Sequence, residues 1–360
     1  LIAGGGTGGH LYPAIAVAKG ILERNPSNRI LIVGATREAS HPIIAKEGLP
    51  FRRLRVIGLD RFFSIRTFRF MWSLGVGFIQ SLLYILKFRP HVVMGVGGYS
   101  SFPPVFLASI MGISTLIHEQ NSTPGLANRI LGRWVKRICL SFPDGWAKGE
   151  KTILTGNPTR KEIGTMDRDA SISRFGLEAG RMTILVFGGS RGARSINLVL
   201  LEAIGGLEGI EDRIQLIYAT GKEDYGWVSS RARRIKIPIY LTNFIFDMPF
   251  AYGAADLVIA RAGAGTIAEI TRCGLPSILI PYPYATAQHQ LRNARLLEEK
   301  GAAIVIQDHE LNADLLAQRI EDLVTHPQRL RQMGQKAREL SHPDATSKIV
   351  DLIYELGVKR

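Results

Sequence analysis

Three glycine-rich turns set the architecture open to this chain, because each falls where an apolar run gives way to a helical one. They read Gly4-Gly5-Gly6-Thr7-Gly8-Gly9-His10, Gly95-Val96-Gly97-Gly98-Tyr99-Ser100-Ser101 and Gly188-Gly189-Ser190-Arg191-Gly192-Ala193. Glycine lets a backbone approach an anion closely, and the helix that follows turns its free N–H groups toward the same spot. A single loop of this kind also serves as an ordinary tight turn. Two in the first half and one in the second point to an α/β fold with paired Rossmann-like halves shaped to hold a diphosphate.

At 360 residues the chain exceeds what one hydrophobic core supports, so two domains are expected. Apolar strands alternate with helices in each half. In the first, strands are expected before Gly4 and at residues 30–33, 51–57, 91–95 and 115–118, with helices at 13–24 and 42–47. Pro13 suits a first helical turn, where its missing N–H costs nothing. In the second half, strands are expected at 182–187, 215–218, 239–241, 256–259 and 277–280. The turn Gly156-Asn157-Pro158 marks the boundary, giving domains 1–156 and 157–340. Residues 341–360 form a last helix, with Asp344 as candidate N-cap, expected to pack back on the N-terminal domain.

The net charge of +14 is unevenly spread. Residues 1–156 hold 19 Lys and Arg against 7 Asp and Glu, and residues 157–360 hold 26 against 24. The first half should therefore attract an anionic partner. Within it, Arg61-Phe62-Phe63 and Arg66-Thr67-Phe68-Arg69-Phe70-Met71-Trp72 interleave cations with aromatics ahead of an uncharged stretch, 70–86. A buried helix with an exposed, greasy and basic start is expected there, suited to an anionic phospholipid surface. A core role for the phenylalanines is the plainer alternative. Cys139 and Cys273 lack metal-ligand spacing and read as free thiols of a reducing compartment. The chain opens inside an apolar run without Met, so the first strand is expected to begin before Leu1, and no signal peptide is read.

His10 ends the first glycine loop at or just before a helix start, where the positive dipole end disfavours imidazolium. A neutral imidazole there is able to take a proton from a hydroxyl; a ring that only touches the loop or the substrate is the other reading. In the second half, Ala260-Arg261-Ala262-Gly263-Ala264-Gly265-Thr266-Ile267-Ala268-Glu269 reads as strand, small-residue turn and helix. Glu269 is placed to accept both hydroxyls of a ribose, or else is a surface or capping residue. Cys273-Gly274-Leu275-Pro276, Ile280-Pro281-Tyr282-Pro283, His289-Gln290-Leu291-Arg292-Asn293 and Gly301-Ala302-Ala303 follow.

With Gly4–Pro13, Gly95–Pro104, His118-Glu119-Gln120-Asn121, Gly156-Asn157-Pro158, Gly188–Ala193 and Phe244-Ile245, these segments make the chain resemble, over nearly its whole length, the GT-B glycosyltransferases of peptidoglycan synthesis. The resemblance implies two Rossmann-like domains facing a cleft. It also implies transfer, with inversion, of N-acetylglucosamine from UDP-N-acetylglucosamine to the 4-hydroxyl of undecaprenyl-pyrophosphoryl-N-acetylmuramoyl-pentapeptide (lipid I to lipid II). The C-terminal domain would hold the donor: Ile245 at the uracil, Glu269 at the ribose, and Ser190 with Ala264, Gly265 and Thr266 at the diphosphate. Arg160 would lie near the donor phosphates, and Asn121, His289 and Gln290 at the sugar. Gly5, Gly6, Thr7, Gly8, Gly97, Gly98, Tyr99 and Ser100 would take the acceptor pyrophosphate, with Thr7, Gly8 and Gly9 reaching the donor as well and His10 acting as base.

The same resemblance implies a peripheral enzyme on the cytoplasmic face of the cell membrane, with lipid I, anionic phospholipid and other cell-wall synthesis proteins as partners and no nucleic acid. Two departures stand out: Ser40 replaces a Glu usual in the family, and Ile44-Ala45 replaces a Val-Pro. The one DxD-like match, Asp167-Arg168-Asp169, lies in a polar linker and reads as chance spacing, so no metal or other cofactor is expected. Three other readings compete. A UDP-sugar epimerase or hydrolase would share the architecture, and a nucleic-acid or anionic-membrane binding module would use the basic half. A dehydrogenase is disfavoured because Val33 leads into Gly34-Ala35-Thr36 without an acidic residue.

Overall fold

The computed structural model describes residues 1–5, 8–35, 47–58, 65–143, 146, 149–189, 192–207 and 209–358. Expectations placed on Gly6, Thr7, Ser40, Ile44-Ala45, residues 42–46 of the 42–47 helix, Arg61-Phe62-Phe63, Ser190 and Arg191 lie outside these residues. The chain divides into two units, one of Leu1–Arg160 with His342–Arg360 and one of Lys161–Ser341.

In the first unit, strands β1 (Ile2–Ala3), β2 (Ile32–Ala35), β3 (Phe51–Leu54), β4 (Val92–Gly95), β5 (Ser114–Glu119), β6 (Arg137–Leu140) and β7 (Thr152–Leu154) pair in parallel in the order β3-β2-β1-β4-β5-β6-β7. Successive strand residues point to opposite faces, and the core divides accordingly. Ile2, Ile32, Met94, Leu116 and Cys139 pack against α1 (Gly8–Arg24) and the last helix, Ala345–Val358, through Ile15, Ala18, Ile349 and Val350. Ala3, Val33, Val93, Ile117 and Ile138 pack on the other face against α2 (Ile65–Phe88), α3 (Phe102–Ile110) and α4 (Leu126–Leu131). Both faces are covered, which is why these strands read as continuous apolar runs.

The second unit repeats the plan. Strands β8 (Met182–Phe187), β9 (Ile214–Ala219), β10 (Ile239–Thr242), β11 (Leu257–Ala260), β12 (Ser277–Leu279) and β13 (Ala303–Val305) are all parallel, in the order β10-β9-β8-β11-β12-β13. Helices α5 (Arg168–Arg174), α6 (Arg194–Gly205), α7 (Tyr225–Ala232), α8 (Met248–Ala254), α9 (Ala264–Cys273), α10 (His289–Glu299), α11 (Ala313–Thr325) and α12 (Pro327–Glu339) complete it; the last helix of the chain is α13. The strand order reverses between β1 and β4 in one sheet and between β8 and β11 in the other. In open parallel sheets such switch points open the crevice where ligands bind. The glycine turns leave β1, β4 and β8, so all three stand at a switch point, and the small-residue turn after β11 stands there with them.

The structure corrects several expectations. Helix α1 begins at Gly8, so Pro13 is its sixth residue rather than part of its first turn, and removes the one bond that would run to Gly9. His10 is the third residue of the helix, inside the turn where the dipole is strongest. Strand β2 lies two residues beyond the expected 30–33. Strands β6, β7 and β13 appear where none was expected. Helix α2 is not buried: Phe68, Met71, Trp72, Ile79, Leu83 and Leu86 are all exposed, while Ser81 and Ile85 turn inward.

Candidate functional site

At the switch point of the first sheet, the two glycine turns are in backbone contact: Gly5 N donates to Gly97 O at 3.4 Å. A Cβ on Gly98 would lie 1.9 Å from Gly5 O, so only glycine allows the turns to meet. His10 lies over this junction. Its ring packs on Gly97, where a Cβ would stand 3.0 Å from Cε1, and its Nδ1 is 3.1 Å from Gln120 Oε1. Gln120, buried just past β5, donates through Nε2 to Val96 O at 2.7 Å. Ser100 is buried with no hydrogen-bond partner for its Oγ, and Tyr99 is partly exposed with its ring edge-on to Phe70.

The end of β5 supports this arrangement. Glu119 is buried and accepts from Asn121 N (3.0 Å), Gly125 N (3.0 Å) and Asn128 Nδ2 (2.8 Å), so its carboxylate shapes the loop that presents Asn121. His118 is fully buried, with Nε2 3.0 Å from Gly156 O and 3.2 Å from Ser141 Oγ, and with Nδ1 unpartnered. Burial pushes its pKa down to about 4, the Gly156 carbonyl opposing and nearby His10 adding to the effect. His118 is thus neutral in the folded chain and charged in the unfolded one below pH ~6.5. Between pH ~6.5 and about 4 the unfolded state binds the extra proton, so stability falls as pH falls. About 3 kcal/mol should be lost across that window. Urea unfolding from pH 7 to 4 should show this loss, and the slope should flatten in His118→Gln, which keeps a donor for Gly156 O.

In the second unit, Gly189 (φ +90) and Gly192 (φ +78) flank the undescribed pair at 190–191. A Cβ on Gly192 would lie 2.3 Å from Thr220 O, so the turn is pressed against the end of β9. Asn197 of α6 holds that end: Nδ2 donates to Thr220 O and Asp224 Oδ2, and Oδ1 accepts from Tyr218 OH at 3.0 Å. The turn after β11 opens α9, whose first N–H groups have no partner within the helix; at Gly265 a Cβ would meet nothing within 4 Å. Ala264, Gly265 and Thr266 are the first three residues of α9, and Glu269 is its sixth, with Oε2 accepting from Tyr252 OH at 3.0 Å. Ile245 is buried, and the rings of its chain neighbours Phe244 and Phe246 meet edge to face with centroids 4.9 Å apart. Gln290 Oε1 accepts from Tyr282 N at 2.9 Å, which leaves its NH2 group for other partners, and His289 Nδ1 is 2.8 Å from Thr286 O.

Arg160 falls in the first unit, its guanidinium 4.9 Å from the centre of the Tyr12 ring. Asp167 caps α5 by accepting from Ala170 N, and Arg168 pairs with Asp256 at 2.8 Å. Among the described residues no three His, Cys, Asp or Glu side chains gather as a metal site. Cys139 and Cys273 are free, and burial pushes both thiols up to about 12.

Several residues near these turns escaped the sequence reading. Arg261 bonds Ile280 O, Pro281 O, Asp308 and Ser195 Oγ, and Ser195 donates to the same carboxylate at 2.7 Å. This cluster locks the start of α6 to the ends of β11 and β12. Its one sequence signal was a lone arginine directly after an apolar strand. Tyr252 and Asn197 gave no signal, and Gln120, quoted only within a family-like segment, was given no role, because their partners lie between 17 and 110 residues away.

Residues 1–140 match the glycosyltransferase family 28 N-terminal domain, and residues 183–349 match the glycosyltransferase family 28 C-terminal domain. A protein of Desulforamulus reducens, named UDP-N-acetylglucosamine--N-acetylmuramyl-(pentapeptide) pyrophosphoryl-undecaprenol N-acetylglucosamine transferase, is 40% identical over 365 residues, covering 99% of this chain and 98% of that protein. The chain belongs to glycosyltransferase family 28. The crystal structure of Acinetobacter baumannii MurG matches this family 28 chain with a TM-score of 0.79 at 28% identity, over 98% of each. A UDP-GlcNAc 2-epimerase from Neisseria meningitidis, bound to UDP-GlcNAc, matches with a TM-score of 0.68 at 13% identity, over 98% of each. That second likeness is one of fold, and fold alone does not carry function. The family 28 chain has the α/β, doubly wound parallel sheets of a GT-B enzyme.

Proposed function

We propose that this family 28 glycosyltransferase moves N-acetylglucosamine from UDP-N-acetylglucosamine to the 4-hydroxyl of undecaprenyl-pyrophosphoryl-N-acetylmuramoyl-pentapeptide, the lipid I to lipid II step of peptidoglycan synthesis. The end-to-end identity with a transferase of that name carries the reading. The paired turns at each switch point support it, since both substrates present a pyrophosphate.

In this reading the second unit takes UDP. The backbone at Ile245 meets the uracil, Glu269 accepts from the ribose hydroxyls with Tyr252 holding one of its oxygens, and the Gly188–Ala193 turn with Ala264, Gly265 and Thr266 meets the diphosphate. Gln290 offers its NH2 group to the sugar, because its oxygen is already taken by Tyr282 N. The first unit takes the acceptor pyrophosphate on its glycine turns and presents the 4-hydroxyl to His10. His10 removes the hydroxyl proton as the oxygen attacks C1 from the face opposite the diphosphate. The C1–O bond breaks, UDP leaves with the electron pair, and the α linkage becomes β. Each well-placed N–H donor on the departing diphosphate contributes about 3 kcal/mol. Those donors do the work of a cation, so the reading requires no cofactor.

Helix α2 gives the enzyme its seat on the cytoplasmic face of the membrane. Its 68–88 stretch is long and apolar enough to cross a bilayer, with 17% of its most apolar part buried. Yet Ile85 and Ser81 anchor it on the sheet, and β4 begins four residues after it ends. Ile110 and Met111 of the same unit are exposed as well, as are Arg52, Arg53, Arg69 and Lys87. Insertion of such a face among lipids, with cations at the headgroups, suits a peripheral enzyme with a lipid-borne acceptor. UDP release from UDP-N-acetylglucosamine should depend on a lipid-pyrophosphoryl muramoyl acceptor and persist in EDTA. Isomerisation of the donor without any acceptor would instead mark an epimerase.

A further inference from the structure

We propose that Gln120 is a positioning residue that fixes His10 in the tautomer whose Nε2 carries the lone pair, an inference that rests on His10 being the base. The hydrogen-bond chain leaves one consistent proton arrangement. Val96 O is a carbonyl and only accepts, so the group 2.7 Å away is the Gln120 NH2. Its other end, Oε1, also only accepts, and it lies 3.1 Å from His10 Nδ1. A neutral imidazole in that place carries its proton on Nδ1. Its lone pair is then on Nε2, since the bond made by one ring nitrogen sets the state of the other. Flipping the amide would set two carbonyl oxygens 2.7 Å apart.

The frame around the pair is rigid. Val96 is fully buried and its N–H is bonded to Ala3 O at 2.8 Å, tying it to β1. Gly97 packs on the ring, where a Cβ would be 3.1 Å from Nδ1. Of the ionisable groups on the neighbouring strand end, His118 is neutral, and the Glu119 carboxylate is engaged by Asn121, Gly125 and Asn128. A neutral amide also differs from a carboxylate in the same role. It orients the ring without adding charge, so the imidazole stays unprotonated at lower pH than it would beside an acid.

Nitrogen-15 spectra of ring-labelled His10 in the full-length enzyme, read with pH–rate profiles, test this. The wild type should show the proton on Nδ1. Gln120→Met, close in volume, should show mixed tautomers and a kcat reduced about 10- to 100-fold, with both KM values within about twofold, the behaviour of a disturbed proton transfer. Gln120→Glu puts an oxygen where the NH2 faced Val96 O, so it should also lower kcat, and the acidic limb of the remaining turnover should move up by about 1 pH unit or more. A wild-type ring protonated on Nε2, or Gln120→Met with unchanged kcat and profile, would overturn the proposal. If Gln120→Met does not fold, the wild-type spectrum and the Gln120→Glu profile still decide it. Full turnover in His10→Ala beside an Nδ1–H spectrum would remove the base role and leave the tautomer assignment standing.

Discussion

His10→Ala should lower kcat by about 100- to 10,000-fold, the range that a positioned general base supplies. The residue sits in the first turn of α1, and its ring is held between Gly97 and Gln120. Because donor recognition is assigned to the second unit, UDP affinity by calorimetry should change less than about twofold. A loss shared between affinity and turnover would instead place His10 among the binding groups. His10→Gln should do no better than alanine, since an amide offers a hydrogen bond but no basic nitrogen.

Gly98→Ala should be nearly as severe by a different route. Gly98 has φ +78 and ψ 164, a region essentially closed to residues with a Cβ, and the added carbon would lie 1.9 Å from a backbone oxygen. The two glycine turns would have to separate. Transfer should fall below about one hundredth of wild type, with about 1–3 kcal/mol of strain visible in urea unfolding. Gly180→Ala is the matching control: its φ is +93 but nothing lies within 4 Å of its Cβ position. It should lose stability through backbone strain while transfer is retained. Equal loss of transfer in both variants would mean that backbone strain, and not the meeting of the turns, is responsible.

Much of this fold was legible because its decisive parts are local. A glycine run between an apolar strand and a helix announces a switch-point turn, and repetition across both halves announces two sheets. The strands that went unread, β6, β7 and β13, are three or four residues long, and β7 and β13 lie at sheet edges where few neighbours enforce a pattern. The start of α1 was misplaced because Gly8-Gly9 has poor helix propensity and Pro13 resembles a first residue; packing of Leu11, Ala14 and Ile15 overrides both. Composition marked α2 as apolar but gave no measure of what covers it. The site divides along the same line. His10 and Glu269, each in a helix that follows a small-residue turn, stood out through their neighbours in sequence. The residues that hold them, Gln120 and Tyr252, depend on contacts made only after folding.

In the proposed seating on a bilayer, the outward face of α2 also changes how the reaction is to be counted. An enzyme resting on a bilayer meets its acceptor by lateral diffusion in a plane, so the governing quantity is acceptor per unit of surface, not acceptor per litre. Diluting the substrate with inert lipid at constant bulk amount should then slow turnover, whereas adding buffer at constant composition should not. For an enzyme with Trp72 and Leu83 turned outward, rates measured in different micelles become comparable only after correction for surface dilution.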